Sequence, residues 1–191
     1  MEIKPLDIVI ALCLGQVKPR GSNKESSLSL YTVRDMAEFT GAAVGSVAAS
    51  QNRLLAFGLI AEVPDFTSTK PASMLSLNRR AIAEFLMYGV RYYSLGERHG
   101  VGIGSGTAWS CPVLKSPILP PELPIVWENP QGSQRGELLR PLHASVIPVS
   151  MKSPVLYRQF ALIDALRIGQ AREIKIAREL LMDSLGITNH E

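Results

Sequence analysis

Cysteine is nearly missing from this 191-residue sequence, and the two that occur, Cys13 and Cys111, cannot build a disulfide framework. A reducing compartment, and with it the cytoplasm, is the default expectation. Long apolar runs are missing too, since no stretch approaches the ~18 residues a membrane span needs. The N-terminal MEIKPLDIVIALCLGQV imitates a secretory leader, but Asp7 interrupts the basic region, the run IVIALCL is short, and no small-x-small cleavage site precedes Lys18, Pro19 and Arg20. Residues 5 to 16 are therefore expected to form a core helix, with no membrane partner.

Charge asymmetry is also lacking. Residues 1 to 98 carry eleven basic and nine acidic side chains, the remainder nine and eight, for a net charge of +3. Binding to a polyanion through bulk charge is not indicated, so a nucleic-acid reading has to rest on the arrangement of elements. The three histidines, His99, His143 and His190, are scattered, and Cys111 has no ligand-spaced neighbour, so neither metal nor cofactor is expected. A Cys111–His143 nucleophile and base is formally available, as such pairs are in any chain of this size. An enzyme is the weakest of the function classes considered.

What is present is a composition 46% hydrophobic and 19% charged, enough to build a folded core. Residues 1 to 93 follow one order of elements. A polar loop, VKPRGSNKESS, follows the first helix, and LSLY is a short strand candidate. Thr32 and Asp35 have the spacing of a capping box opening a helix with Val33, Met36 and Ala37 inward, ended by Gly41. A second helix is expected from about Ala43 to Phe57, with Val47, Leu54 and Leu55 buried and Gly58 at its end. LIAEV and SMLSL alternate like two strands, joined by PDFTSTKPA. Asn78 then caps RRAIAEFLMYGVRYY, striped by Ile82, Phe85, Leu86 and Val90.

Helix, short strand, helix, turn, helix, hairpin, helix is the order of a winged helix-turn-helix. The expected fold class is mainly α with small β: a winged helix-turn-helix domain over 1–93, a Gly/Pro-rich extended segment with a possible hairpin over 94–152, and a C-terminal helical region over 153–186. In the middle segment the glycines at 100, 102, 104 and 106 match no nucleotide-binding fingerprint and read as a close-packed or mobile loop. IVWE and GELLRPL flank a type I turn at Asn129 to Gly132 and suggest a hairpin or two extended arms. Trp109 and Trp127 read as packing anchors. Ser153 and Pro154 cap a helix that is expected to break near Gly169, with Arg167 or Arg172 fixed by Asp164 or Glu173.

The segments SLYTVRDMAEFTG, VxxSxNRLxxxGL (Val47 to Leu59), GTAWSCPVL, VWENPQGSQRGELLRPLH and DALRIGQARE (Asp164 to Glu173) together resemble a bacterial family of MarR-like winged helix-turn-helix transcriptional regulators. The resemblance covers nearly the whole chain. It implies a DNA-binding fold with a distinctive C-terminal module, and neighbouring nucleotidyltransferase-like proteins in some members would suit an antitoxin or an operon repressor. Members tend to read Arg-Gly-x-Pro-Thr-Ala where this chain has Ile103, Gly104, Ser105, Gly106, Thr107 and Ala108, so any task of that arginine or proline is not carried over.

On this reading residues 43 to 57 are a recognition helix. Val44, Gly45, Ser46, Ala49, Asn52 and Arg53 are assigned to its outer face, where small side chains admit the helix to a major groove and Ser46 or Asn52 can bond base edges. Arg53 and Arg34 would hold phosphates, with Lys70 doing so from the wing. The expected partners are double-stranded DNA and a second copy of the chain, the dimer surface being the helical face of Ile174, Ala177, Leu181 and Leu185. The alternative from another class is a protein-interaction module, an antitoxin whose C-terminal helices hold a toxin encoded nearby.

Overall fold

A computed structural model of the chain describes residues 1–17, 32–64, 73–114, 118 and 121–187. The expected strand at LSLY, Lys70, most of the PDFTSTKPA loop and His190 lie outside the described residues. The architecture is mixed α and β. The chain divides into two compact units, Met1–Ile82 and Ala83–Glu191.

The first unit is assembled around a buried helix. In α1 (Pro5–Leu14) proline occupies the first turn, where its missing N–H costs nothing, and Asp7 Oδ2 accepts the Lys4 N–H at 2.8 Å. Every residue from Asp7 to Leu14 is buried, so α1 is a core element, as its composition suggests. In α2 (Val33–Thr40) the capping box forms, Thr32 Oγ1 accepting from the Asp35 N–H at 3.1 Å and Asp35 Oδ2 from the Thr32 N–H at 3.0 Å. Gly41, at φ 70°, turns the chain into α3 (Val44–Ala56). Only glycine enters that left-handed region without strain.

Val47, Ser50 and Leu54 form the buried face of α3. Gly58, at φ 68°, ends it and leads into a hairpin of β1 (Ile60–Pro64) and β2 (Ser73–Leu77), in register from Ile60↔Leu77 to Pro64↔Ser73. Asn78 has two roles where the hairpin ends. Its Oδ1 accepts the Ala81 N–H at 3.2 Å to open α4 (Arg79–Tyr88), and its Nδ2 donates to the Gly58 carbonyl at 3.0 Å. The helix expected to run unbroken to Tyr93 stops at Gly89 and resumes as α5 (Val90–Tyr93). A Cβ at Gly89 would stand 2.8 Å from the Phe85 carbonyl oxygen.

In the second unit the glycine repeat is a strand, not a loop. β3 (Arg98–Gly106) pairs antiparallel with both β4 (Ile125–Glu128) and β5 (Gln134–Leu139). β4 and β5 also pair with each other, in parallel (Ile125↔Glu137, Val126↔Leu138), so the three strands close on themselves. Of the two arrangements expected for IVWE and GELLRPL, a hairpin or two extended arms, the second is found: both arms pair with β3, and with each other in parallel rather than as a hairpin. The turn between them forms, with the Gly132 N–H on the Asn129 carbonyl at 2.8 Å.

The reason is steric. A Cβ on Gly104 would lie 2.1 Å from the Trp127 carbonyl oxygen, and one on Gly106 2.1 Å from that of Ser110. The glycines admit backbone where side chains would stand, which leaves β-branched residues out of the strand and hides it from pattern reading. A short 3₁₀ turn, Ala108–Ser110, follows.

The C-terminal part of this unit is helical: α6 (Val146–Lys152), α7 (Pro154–Ile168) and α8 (Ala171–Ser184). The Ser153 hydroxyl accepts the Leu156 N–H and Pro154 takes the first turn of α7. The helix breaks at Gly169 as expected, where the backbone turns extended, and glycine is needed there because a Cβ would meet the Ala165 carbonyl oxygen at 2.4 Å. α7 is buried along most of its length, including the polar Gln159, Asp164 and Arg167.

One expectation is corrected by this packing. Ala177, Leu181 and Leu185, assigned to a dimer surface, are already buried within the unit, and Ile174 is half-buried, because α8 lays that face on the unit's own core.

Candidate functional site: the outer face of α3

The face opposite Val47 and Leu54 on α3 is open. Val44, Gly45, Ser46, Ala49 and Asn52 are all exposed; Gly45, Ala49 and Asn52 lie along one helical side at 3.6 residues per turn, with Val44 and Ser46 flanking it. None of these side chains is charged, and the largest apolar one is Val44, 49% exposed. Gly41 sets the angle at which the helix leaves α2, and Arg34 is exposed on α2.

Arg53 does not belong to this face. Its Nε and Nη2 donate to the two carboxylate oxygens of Asp7 at 2.8 and 2.7 Å, a bidentate pair with Asp7 fully buried and the arginine side chain 15% exposed. The planar fork is the geometry in which guanidinium and carboxylate bind best, and it occupies the donors that a phosphate contact would need. Sequence reasoning placed Arg53 outward because a helical wheel knows only its own helix. The signal that could have corrected it is Asp7, a carboxylate in an otherwise apolar core helix, which has to find a cation.

Burial alone would raise the Asp7 carboxyl. The Arg53 hydrogen bonds, the Lys4 backbone N–H and the Arg53 charge outweigh it and hold the group below the ordinary aspartate value.

The second unit contains a more deeply buried charge network. Asp164 Oδ1 accepts from Arg167 Nη1 at 2.6 Å, and its Oδ2 from Trp127 Nε1 at 2.6 Å and the Thr107 hydroxyl at 2.8 Å. Arg167 also donates to the backbone carbonyls of Ser94, Leu95 and Arg140. One of the two arginines of the DALRIGQARE segment, Arg167, is therefore fixed by a carboxylate, as expected. Complete burial pushes the Asp164 carboxyl up, against the pull of Arg167, Thr107 and Trp127. Both groups are sealed from solvent, so this network sets geometry rather than reaching a ligand.

The Cys111 thiol is also pushed up, to about 11, by burial, so it is not the thiolate a nucleophile requires at neutral pH. The His143 Nδ1 accepts the Ser145 N–H at 3.1 Å. Trp109 and Trp127 are buried, as packing anchors should be. Among the described residues no cluster of three or more His, Cys, Asp or Glu side chains could hold a metal, and no helix is long and apolar enough to cross a membrane.

No family model matches the chain, and no curated protein or solved structure compared with it matches either.

Proposed function

We propose that the protein is a sequence-specific DNA-binding transcriptional regulator of the winged helix-turn-helix kind, a repressor of its own operon, with α3 as the helix that enters the major groove. The observation that carries this reading is the outer face of α3. Five exposed positions, Val44, Gly45, Ser46, Ala49 and Asn52, bear nothing larger than valine or asparagine, while the inner face is anchored by Val47, Leu54 and the Asp7–Arg53 pair. Small groups let a helix sit deep in the groove, where alanine meets thymine methyls and asparagine bonds adenine. The order of elements, with a helix pair followed by a hairpin and a further helix, supports it.

With Arg53 withdrawn, Arg34 is the remaining described cation assigned to phosphates. Affinity therefore leans on few phosphate contacts, and the dependence on salt is shallow, roughly −0.9 in log–log slope per phosphate engaged. One such helix reads a few base pairs, so two copies on half-sites about 34 Å apart complete the reading.

The test is binding to the DNA upstream of the protein's own gene, followed by fluorescence anisotropy. Asn52→Ala is expected to relax preference at one base pair by ~1–3 kcal/mol, and Arg34→Ala to weaken all sequences alike. Binding by both variants indistinguishable from that of the parent protein would remove α3 from the proposal.

A second reading is supported by the lack of charge on the same face: an antitoxin or other module that docks a protein encoded nearby. Co-purification with that neighbour's product, together with no retained DNA, would favour it.

A further inference from the structure

A half-open cavity of about 290 Å³ lies in the second unit, and no part of the DNA-binding reading uses it. Leu123, Ile125 and Ile168 make its apolar wall together with the indole of Trp109. Trp109 is 6% exposed, and its Nε1–H is buried with no acceptor among the described residues. A buried donor in that state keeps its full desolvation cost, so it calls for a partner. The residue before it is strained as well. Ala108 is fully buried at φ 46°, in the left-handed region that alanine enters only at a cost. Strain and an unmet donor in consecutive residues of one short turn point to a ligand that supplies an acceptor here.

The charged part of the lining is mixed. Arg98 uses one N–H on Glu137, Nη1 to Oε2 at 2.8 Å, and keeps the rest of its fork. Glu137 and Glu173 each keep an oxygen, the latter giving its Oε2 to the Gln170 N–H at 2.8 Å. Donors thus stand on Trp109 and Arg98, and acceptors on Glu137 and Glu173. A cation leaves both donors unmet, and an anion faces two carboxylates against one guanidinium. A neutral group with donors and acceptors side by side matches all four.

We propose that this cavity binds a small neutral primary carboxamide carried on a flat ring. The carbonyl oxygen has two lone pairs, for the Trp109 Nε1–H and for Arg98, and the amide nitrogen two hydrogens, for Glu137 and Glu173. The ring lies against Leu123, Ile125 and Ile168, in a volume at the lower end of small-molecule pockets. The inference is independent of DNA binding.

The test titrates four probes of one shape into the full-length ¹⁵N-labelled protein. Benzamide carries donors and an acceptor, acetophenone the acceptor alone, benzamidinium donors and a positive charge, benzoate acceptors and a negative one. The chain has two tryptophans, so its indole N–H signals are two, and Trp109→Phe identifies which is which. The Trp127 indole donates to Asp164, and its signal reports whether the second unit is intact. Saturation-transfer signals of the probe follow binding where the Trp109 signal is gone.

Benzamide is expected to shift the Trp109 signal saturably in the millimolar range, about fivefold more tightly than acetophenone and about tenfold more tightly than either charged probe. Trp109→Phe, which keeps a ring and loses the N–H, and Glu173→Gln should each weaken benzamide about fivefold while leaving the Trp127 signal in place. Should either variant lose that signal, the ranking of the four probes on the parent protein decides alone. The proposal is overturned if the Trp109 signal does not saturate, if any other probe binds as tightly as benzamide, or if folded Trp109→Phe binds benzamide like the parent.

Discussion

Asp7 and Arg53 show how much one buried charge decides. Removing either partner leaves the other with desolvation and no compensation, a loss of about 3–5 kcal/mol for pairs of this kind. Asp7→Asn and Arg53→Ala should therefore both lower the urea midpoint of the first unit, and Arg53→Lys should restore little, because a point charge cannot reproduce the two parallel bonds. The pH dependence follows from the depressed Asp7 carboxyl. A carboxyl whose folded pKa lies below its unfolded value contributes stability that is fully present above about 3.9, the ordinary aspartate value, and is lost as pH falls through the folded value. Unfolding curves collected from pH 6 down to pH 2 should show an acid limb that Asp7→Asn flattens.

Among the elements, α3 and β3 use glycine for opposite reasons. Gly45 sits within α3 with no atom near a would-be Cβ, so Gly45→Ala should raise helix stability by up to ~1 kcal/mol. If the outer face of α3 reads DNA, the same methyl should weaken binding, and a variant that melts higher yet binds less would separate function from stability. A variant that melts higher and binds unchanged would show that this position does not approach a partner. Gly104 in β3 has no such freedom. The Trp127 carbonyl oxygen lies 2.1 Å from where its Cβ would be, so Gly104→Ala should destabilise the second unit by several times the cost of Gly41→Ala, where nothing is near and only the φ of 70° is violated, at ~1–2 kcal/mol. Thermal melts of the two variants make the comparison.

Across the molecule, the two units were unequally legible. In the first, the signals are local and each has a short-range cause: the Thr32–Asp35 box, the left-handed Gly41 and Gly58, the Asn78 cap and the alternation of β1 and β2. Arg53 was misplaced because its partner is a helix away. In the second unit the caps, the break between α7 and α8 and the extended arms at IVWE and GELLRPL could be read, but β3 and the way the strands pair could not. Their pairing is set by backbone approach across glycines, and alternating glycine has neither the hydrophobic nor the β-branched signature of a strand. The cavity was equally hidden, since Arg98, Trp109, Glu137 and Glu173 converge only once those strands have closed.

That closure has a kinetic side. β3 must find β4 and β5 across long stretches of chain, and no strand is complete until both others are in place, whereas β1 and β2 need only fold back on each other. Loop-closure entropy has to be overcome before any of these contacts returns energy, which makes the second unit the slow folder. Both tryptophans, Trp109 and Trp127, belong to it, so indole emission after dilution from denaturant follows this unit alone. Helical ellipticity, which draws on both units, should recover first, and the lag between the two signals would be the time the glycine strand takes to find its neighbours.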